Sequence, residues 1–176
     1  MPADRPAPPE TGLLIRKVRP DEAGEMLAII NAAAQAYRGV IPEDCWHDPY
    51  MSADDLDGQI SAGVVFWGAE IGGRLAGVMG LQAVRDVELI RHAYVLPEHQ
   101  GTGVGAALLQ YLRGPARGRI LIGTWAAATW AIRFYERHGF RLVAPERTAD
   151  VLRAYWTISP RQIETSVVLA DPPLDG

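Results

Sequence analysis

A glycine-dense segment follows the apolar run that ends at Leu96 and Pro97, and no other stretch of this sequence is as well suited to chemistry. It contains Gly101, Gly103 and Gly105, and an apolar pattern with helical spacing begins inside it. Where β-carbons are missing, successive backbone N–H groups can converge on one anion, and the start of a helix adds partial positive charge. The segment therefore predicts a pyrophosphate site made of main-chain amides, with a plain strand-to-helix turn as the alternative.

Gly101, Gly103 and Ala106 also match the G-x-G-x-x-A fingerprint of dinucleotide-binding folds. That fingerprint requires the glycines to follow a strand directly and an acidic residue about 20 positions later, where it holds the ribose. Here Pro97-Glu98-His99-Gln100 intervenes after the strand, and no Asp or Glu occurs between Glu98 and Glu136. The sequence therefore excludes a Rossmann-type nucleotide site.

The run from Gln100 to Gly105 fits the acetyl-CoA signature Q/R-x-x-G-x-G/A, and a second motif runs from Ala131 to Phe140 with Phe134-Tyr135 at its centre. With both motifs, and the lead-in Tyr94–Glu98, the chain resembles the GNAT family of acyl-CoA-dependent N-acetyltransferases over residues 13–170. The resemblance implies the α/β (α+β) GNAT fold. That fold has a mixed, mostly antiparallel sheet, helices on both faces and a splayed central strand.

The resemblance also implies acetyl-CoA as co-substrate, without a metal. A bulge would splay the strand that ends at Tyr94–Leu96, and its free backbone groups would pair with the pantetheine arm. Because Gln100 carries no charge where arginine is frequent in the family, amides and hydrogen bonds would hold the pyrophosphate. The residues expected to contact the cofactor are Tyr94, Val95, Leu96, Gln100, Gly101, Thr102, Gly103, Val104, Gly105 and Ala106.

Acetyl transfer to an amine needs an acid for the leaving thiolate and a base for the ammonium. The resemblance makes Tyr135 the candidate acid, with a packed core tyrosine as the alternative. Glu88 resembles the strand glutamate that acts through water in many relatives, and His92 has an intrinsic pKa suited to a base. Strict alternation would place Glu88, His92 and Tyr94 on one face of their strand, although a bulge would change this.

Substrate recognition is expected from the irregular, aromatic-rich segment between the first two helices. Aromatic rings with a guanidinium would suit a small amine that carries an apolar part or a carboxylate, whereas core packing is the alternative role for these rings. The candidates are Tyr37, Arg38, Trp46 and Tyr50, with Trp67, Tyr155 and Trp156 as further walls.

The elements that must position these residues follow from hydrophobic periodicity. Strands are predicted at 13–19, 64–71, 75–84, 87–96, 120–125, 140–143 and 163–170. Helices are predicted at 20–34, 52–62, 102–113 and 127–138, with a short one at 150–156. Gly72-Gly73 predicts a hairpin turn, and Ser52 with Asp55 predicts a capping box. Consecutive strands followed by alternating strands and helices predict a mixed sheet and exclude a wholly parallel one.

The chain has 176 residues, of which 48% are hydrophobic, and this predicts one domain, 13–170, between tails at 1–12 and 171–176. Its net charge of −4 argues against general binding to nucleic acid or anionic membranes. A lone cysteine, Cys45, excludes an internal disulfide framework and indicates a reducing, cytoplasmic setting. No signal peptide or membrane-spanning run is evident.

Together these observations predict an N-acetyltransferase that moves the acetyl group of acetyl-CoA to the primary amine of a small acceptor, directly and in a ternary complex. Two alternatives stay open. One is a non-catalytic acyl-CoA-binding or sensing module, and the other is an acetyltransferase that acts on a protein amine. The C-terminal strand at 163–170, interpreted as a free edge, favours a homodimer.

Overall fold

Seven strands form one sheet in the part of the chain that the structure, a computed structural model, describes: residues 12–114 and 118–174. The spatial order is β1-β2-β3-β4-β5-β7-β6, and every neighbouring pair is antiparallel except β4 with β5. This confirms the mixed, mostly antiparallel sheet. The strands are β1 (Leu14–Lys17), β2 (Val65–Ile71), β3 (Arg74–Val84), β4 (Val87–Val95), β5 (Arg119–Trp125), β6 (Arg141–Leu142) and β7 (Ser166–Asp171).

Helices cover both faces of the sheet, as predicted. On β3, Val78 packs into the apolar cluster beneath α1, whereas its neighbour Met79 packs into the cluster beneath α3. Successive side chains of a strand point to opposite faces, so these two helices lie on opposite sides. The helices are α1 (Ala23–Ala34), α2 (Ala53–Ser61), α3 (Val104–Arg113), α4 (Thr129–Arg137), α5 (Pro145–Tyr155) and α6 (Pro160–Glu164).

The irregular segment between α1 and α2 is held in place at its C-terminal end. Asn31 of α1 donates from Nδ2 to the Met51 carbonyl at 2.9 Å, and the Met51 N–H donates to Asn31 Oδ1 at 2.8 Å. The predicted capping box then starts α2: the Asp55 N–H donates to Ser52 Oγ and the Ser52 N–H donates to Asp55 Oδ2. The aromatic residues just before Met51 are therefore anchored to a fixed scaffold.

A bulge in β4 sets the direction of the side chains that follow it. Tyr94 lies opposite Val78 and Arg91 lies opposite Gly80, so one residue of β3 faces two residues of β4. His92 in this bulge has a left-handed φ of 55°. Gly80 permits the close approach, since a β-carbon there would lie 2.9 Å from the Arg91 carbonyl oxygen.

The bulge overturns the strict alternation expected along β4. Ile90 packs into the cluster beneath α3, but Tyr94 packs against the cluster beneath α1. The ring of His92 lies 6.0 Å from that of Phe66, which also belongs to the α1 cluster. The expectation that Glu88 shares a face with His92 and Tyr94 is therefore wrong, because the extra residue reverses the alternation.

Beyond the bulge the sheet is splayed, as expected. β4 and β5 pair only between Val87–Ile90 and Arg119–Ile122. Past that point β4 stays bonded to β3 as far as Val95, and β5 stays bonded to β7 as far as Trp125. The two strands therefore diverge, and a wedge-shaped opening forms between them.

The C-terminal region differs from the prediction. Ile163 belongs to α6, because Ser159 caps a short helix there and β7 begins only at Ser166. β7 also includes Asp171, which was expected in the tail. β7 is bonded to β5 along its length and to β6 at Leu169 and Ala170, so it is not the free edge on which the homodimer prediction rested. Most of the predicted N-terminal tail and the last two residues of the C-terminal tail lie outside the described residues.

Candidate active site

Two cavities meet in the wedge between β4 and β5. The larger, here called the loop groove, has a volume of about 480 Å³ and is lined by the 99–106 loop, β4 and α4. The smaller, here called the wedge pocket, has a volume of about 160 Å³ and is lined by β4, β5, α5 and α6. Both are lined by Tyr37, Ala93, Tyr94, Ala131 and Tyr135. The two cavities therefore adjoin at the bulge.

The loop groove presents backbone N–H groups at the start of α3. Gly103 precedes the helix with a φ of 91°, and the first helical hydrogen bond runs from the Ala107 N–H to the Gly103 carbonyl. The amides of Val104, Gly105 and Ala106 therefore have no acceptor within the helix. This is the amide cradle that the glycine spacing predicts. The predicted cofactor contacts that line the groove are Tyr94, Val95, Gln100, Gly101, Gly103, Val104, Gly105 and Ala106.

Two of the predicted cofactor contacts have other roles. The Leu96 N–H donates to the Ala76 carbonyl at 2.8 Å, so it continues the sheet and Leu96 does not line the groove. The Thr102 hydroxyl donates to the His99 carbonyl and closes the turn.

Gln100, which lines the groove, also has a partner within the protein. Its side chain donates from Nε2 to the Val95 carbonyl at 3.2 Å. Gln100 thereby joins the loop to the splayed end of β4.

The wall opposite the amides is formed by α4, and it contributes a cation that the sequence analysis missed. Trp130, Phe134 and Arg137 all line the groove. Their spacing of four and three residues places them on one face of a helix, and this pattern could have revealed them. No Asp or Glu lines either cavity among the described residues. The groove therefore suits an anionic ligand.

Aromatic side chains from distant parts of the chain form a cluster where the cavities meet. The ring centroids of Tyr37 and Tyr50 are 5.4 Å apart, and each lies within 6.5 Å of Tyr94. Trp46 stacks on Tyr50 at 5.9 Å, and Trp125 donates from Nε1 to the Tyr50 hydroxyl at 2.9 Å. Burial and the neighbouring hydroxyls hold the pKa of Tyr94 well above its ordinary value. These phenols are therefore neutral near pH 7.

Tyr135 lies at the junction of the two cavities. Only 6% of its surface is exposed, and its ring packs edge-on against Phe134 and Phe140. Burial raises the pKa of its hydroxyl above the ordinary value, and no charge or hydrogen bond contributes to the shift. Tyr135 is thus both a packed tyrosine and a protonated hydroxyl group beside the two cavities.

The two predicted bases lie in different environments. Glu88 is on the paired part of β4, opposite Ile120, and it lines neither cavity. His92 lines the wedge pocket and donates from Nε2 to Gln59 Oε1 at 3.1 Å. Burial, helped by the positive charge of Arg91, lowers the pKa of His92 to about 3. The imidazole is therefore neutral near pH 7 and a weaker base than its intrinsic pKa suggests.

Only some of the predicted substrate residues line the wedge pocket. Tyr37 and Tyr50 line the wedge pocket, as does Trp156, and Trp46 supports Tyr50 from behind. Arg38 is exposed and lines neither cavity. Two of the proposed further walls also lie elsewhere. Trp67 packs on Tyr111 of α3, and Tyr155 donates its hydroxyl to Asp86.

The guanidinium of the wedge pocket belongs to Arg91, which the sequence analysis did not single out. It is half-buried, and its Nη1 donates to Gln82 Oε1 at 3.1 Å. Desolvation lowers its pKa from the ordinary value. Beside it, Trp156 lies flat over Gly123 and closes one side of the pocket. The place of Arg91 in the pocket does not follow from local spacing, because the pairing of β4 with β5 ends at Ile90, just before it.

Within residues 12–114 and 118–174 no group of three or more His, Cys, Asp or Glu side chains could hold a metal ion. No helix in the same part of the chain is long and apolar enough to cross a bilayer. Cys45 is buried beside Ile41, Trp125 and Ala128, and it lines neither cavity.

Comparison with known proteins bears on the same region. Residues 62–142 match the family model of the acetyltransferase (GNAT) domain. This stretch contains β4, the 99–106 loop and α4, which together form the loop groove. This part of the chain is similar in sequence to GNAT acetyltransferase domains.

A related sequence extends this match. A segment of 89 residues is 32% identical to N-acetyltransferase 8F1 of Mus musculus and covers 45% of this chain. The same segment corresponds to 40% of the length of the mouse protein, so the chain spans less than half of that relative.

Solved structures confirm the GNAT fold over most of the chain. The PaiA N-acetyltransferase of Thermoplasma acidophilum, solved with coenzyme A, has a TM-score of 0.68 at 16% identity and covers 90% of this chain and 97% of its own. A GNAT acetyltransferase of Brucella melitensis, solved with acetyl-CoA, has a TM-score of 0.52 at 26% identity. That match covers 73% of this chain and 82% of the Brucella chain.

Proposed function

We propose that this GNAT domain transfers the acetyl group of acetyl-CoA to the primary amine of a small acceptor, directly and within a ternary complex. The observation that carries the proposal is that the loop groove and the wedge pocket adjoin beside Tyr135. Two reactants can then be held together with their reacting atoms close, which removes most of the entropic cost of their encounter.

The loop groove is the proposed site of acetyl-CoA. The free amides of Val104, Gly105 and Ala106 would hold the pyrophosphate, and Arg137 adds positive charge on the opposite wall. The pantetheine arm would extend along β4 past Val95 towards Tyr135. The Brucella and Thermoplasma proteins, which were solved with acetyl-CoA and with coenzyme A, support this assignment.

The transfer itself would form one bond and break another. The acceptor nitrogen attacks the thioester carbonyl carbon, and a backbone N–H near Val95 stabilises the negative oxygen of the tetrahedral intermediate. The carbon–sulfur bond then breaks, and Tyr135 donates its proton to the leaving thiolate. The proton that the newly acetylated nitrogen sheds returns to the Tyr135 oxygen, which restores the hydroxyl. The hydroxyl is protonated near pH 7 and so carries a proton when the thiolate forms, although burial raises its pKa and makes it a weaker acid.

The acceptor must lose a proton before it can attack. The wedge pocket is lined by aromatic residues and by Arg91, and no carboxylate lines it among the described residues. Desolvation and a nearby positive charge both lower the pKa of an ammonium group. We therefore assign this proton to the solvent as the amine enters the pocket. Glu88 has no part in this scheme, and His92 remains neutral beside the amine.

Calorimetry with acetyl-CoA, followed by a thiol-release assay with a panel of amines, tests the proposed function. The expected result is binding in the micromolar range and thiol release that depends on the amine. The variant Cys45→Ala removes the background thiol. Absence of binding at millimolar acetyl-CoA would refute the proposal. Binding without release with any amine would indicate a non-catalytic module, and release only with peptides would indicate a protein acceptor.

A further inference from the structure

Arg91 carries a charge in the wedge pocket that no described residue neutralises. Its recorded partner is the side-chain oxygen of Gln82, which is neutral, and no carboxylate lines the pocket among the described residues. Its pKa is lowered by desolvation alone, without the raising effect that an acidic neighbour would have. A half-buried cation of this kind is costly unless an anion pairs with it.

Two other partly buried arginines have acidic partners, whereas Arg119 donates to main-chain carbonyls. Arg16 contacts Glu22 and Glu70 at 2.6 Å each, and Arg113 pairs with Asp171. Arg16 and Arg113 therefore each have a counter-ion. Arg91 lacks one at the position where a second reactant is proposed to bind.

We propose that Arg91 binds a carboxylate of the acceptor, so that the acceptor class is amino acids and related small amines with a carboxylate near the amine. This inference rests on the proposed function. A guanidinium pairs with a carboxylate through two parallel hydrogen bonds, which fix orientation as well as position. Holding the carboxylate at Arg91 would aim the amine towards the junction of the two cavities.

The geometry of β4 matches such a molecule. Arg91 and Ala93 flank His92 in the bulge, and Ala93 lines both cavities. Arg91 is therefore only two residues from the junction of the cavities. The carboxylate and amine of an amino acid are separated by a single carbon, so both groups fit between Arg91 and the thioester end of the groove.

The rest of the pocket sets the size and polarity of the acceptor. Its volume of about 160 Å³ is close to that of a cavity that accommodates benzene, at about 150 Å³. Its walls include Tyr50, Trp125 and Trp156, which would contact an apolar side chain. Because the side-chain amine of a protein lysine has no adjacent carboxylate, Arg91 favours a free amino acid over a protein.

A comparison of matched acceptors tests this inference. L-leucine, L-methionine and L-phenylalanine are each compared with their carboxamides in the thiol-release assay. A hydrogen-bonded charge pair changes binding by about 10- to 100-fold, so the free acids should exceed the amides in kcat/KM by at least tenfold. Arg91→Gln should lower kcat/KM for the acids at least tenfold more than for the amides. Arg91→Lys should restore part of the loss.

Arg74→Gln is the matched control, because Arg74 is an exposed strand arginine that lines neither cavity. It should leave both acceptor classes unchanged, and acetyl-CoA affinity should be the same in all variants. Failure of the wild type to bind acetyl-CoA would refute the proposed function first. If acetyl-CoA binds and amines are acetylated, an equal kcat/KM for the free acids and their amides overturns the role of Arg91 but leaves the proposed function standing. Should Arg91→Gln fail to fold, the ratio of kcat/KM for acids to kcat/KM for amides in the wild type still tests the role of Arg91.

Discussion

The loop groove and the wedge pocket adjoin, but they are built in different ways. The groove takes its donors from the main chain of one continuous stretch, from Tyr94 to Ala106, with α4 as its second wall. The pocket takes side chains from the segment between α1 and α2, from β4 and β5, and from α5 and α6. A main-chain site depends on local conformation, whereas a side-chain site depends on how distant elements pack. The proposed acetyl-CoA site is therefore predictable from a sequence motif, whereas the proposed acceptor site is not.

The largest effect is expected at Tyr135, where the two regions meet. Tyr135→Phe should lower kcat about 100-fold or more, since general acid catalysis contributes at least that much in many enzymes. Acetyl-CoA affinity and acceptor KM should change less than threefold, because the ring still packs. Because burial raises the pKa of Tyr135, its hydroxyl stays protonated up to pH 10. The wild-type rate should therefore show no decline between pH 7 and pH 10 through loss of this proton. Steady-state kinetics across pH provide the measurement.

Tyr111→Phe is the matched control for that variant. Tyr111 is an exposed tyrosine of α3 that lines neither cavity. Its substitution should leave kcat unchanged. An equal kcat in Tyr135→Phe and Tyr111→Phe would mean that Tyr135 contributes packing and no proton.

A smaller effect, confined to the groove, is expected from Gly103→Ala. A left-handed φ costs a residue with a β-carbon about 1–2 kcal/mol, which the loop can relieve by turning its amides away. Acetyl-CoA affinity measured by calorimetry should fall about 5- to 30-fold. Gly73→Ala, at a φ of 81° in the hairpin between β2 and β3, carries similar strain and should leave affinity unaltered. Equal affinity in both variants would argue that the amides do not hold the ligand.

Gly123→Ala is expected to weaken acceptor binding in the wedge pocket and to leave the loop groove unchanged. A β-carbon there would lie 3.2 Å from the ring of Trp156, which must then shift into the pocket. The KM for the acceptor should rise by about three- to tenfold, equivalent to roughly 0.7–1.4 kcal/mol, while acetyl-CoA affinity stays within twofold. Loss of acetyl-CoA binding in this variant would mean that the two regions are not independent.

The smallest effect on either region is expected from Glu22→Gln, at the far edge of the sheet. Hydrogen bonds from Arg16 lower the pKa of Glu22 to about 2 from 4.5. A lowered folded-state pKa stabilises the protein above pH 4.5, and this stability is lost as the pH falls towards 2. Glu22→Gln should therefore cost about 1–3 kcal/mol at pH 7 and nothing near pH 2.

Denaturant unfolding at pH 2 to 7 measures this difference, with the exposed Asp57→Asn as control. At pH 7 both ligand affinities of folded Glu22→Gln should equal those of the wild type. A loss of stability that persists unchanged at pH 2 would contradict the assigned ion pair.

Local patterns anticipated much of the fold. The Ser52 and Asp55 cap and the Gly72-Gly73 turn were both predicted, because each depends on neighbouring residues alone. The strand predicted at 163–170 begins only at Ser166, because Ser159 caps a short helix over the residues before it. The face of His92 was wrong, because the bulge depends on how closely β3 approaches at Gly80.

From its sequence alone, this protein shows an anion-binding loop at the start of α3 and a tyrosine motif on α4, because both depend on residues close together in the chain. The tertiary structure decided which charged group enters the wedge pocket. Arg38 lies in the predicted segment but is exposed to solvent, whereas Arg91 follows the last paired residue of β4 and lines the pocket that opens as β4 and β5 diverge. Local residue spacing cannot predict that divergence, because the divergence depends on pairing between strands that are far apart in sequence.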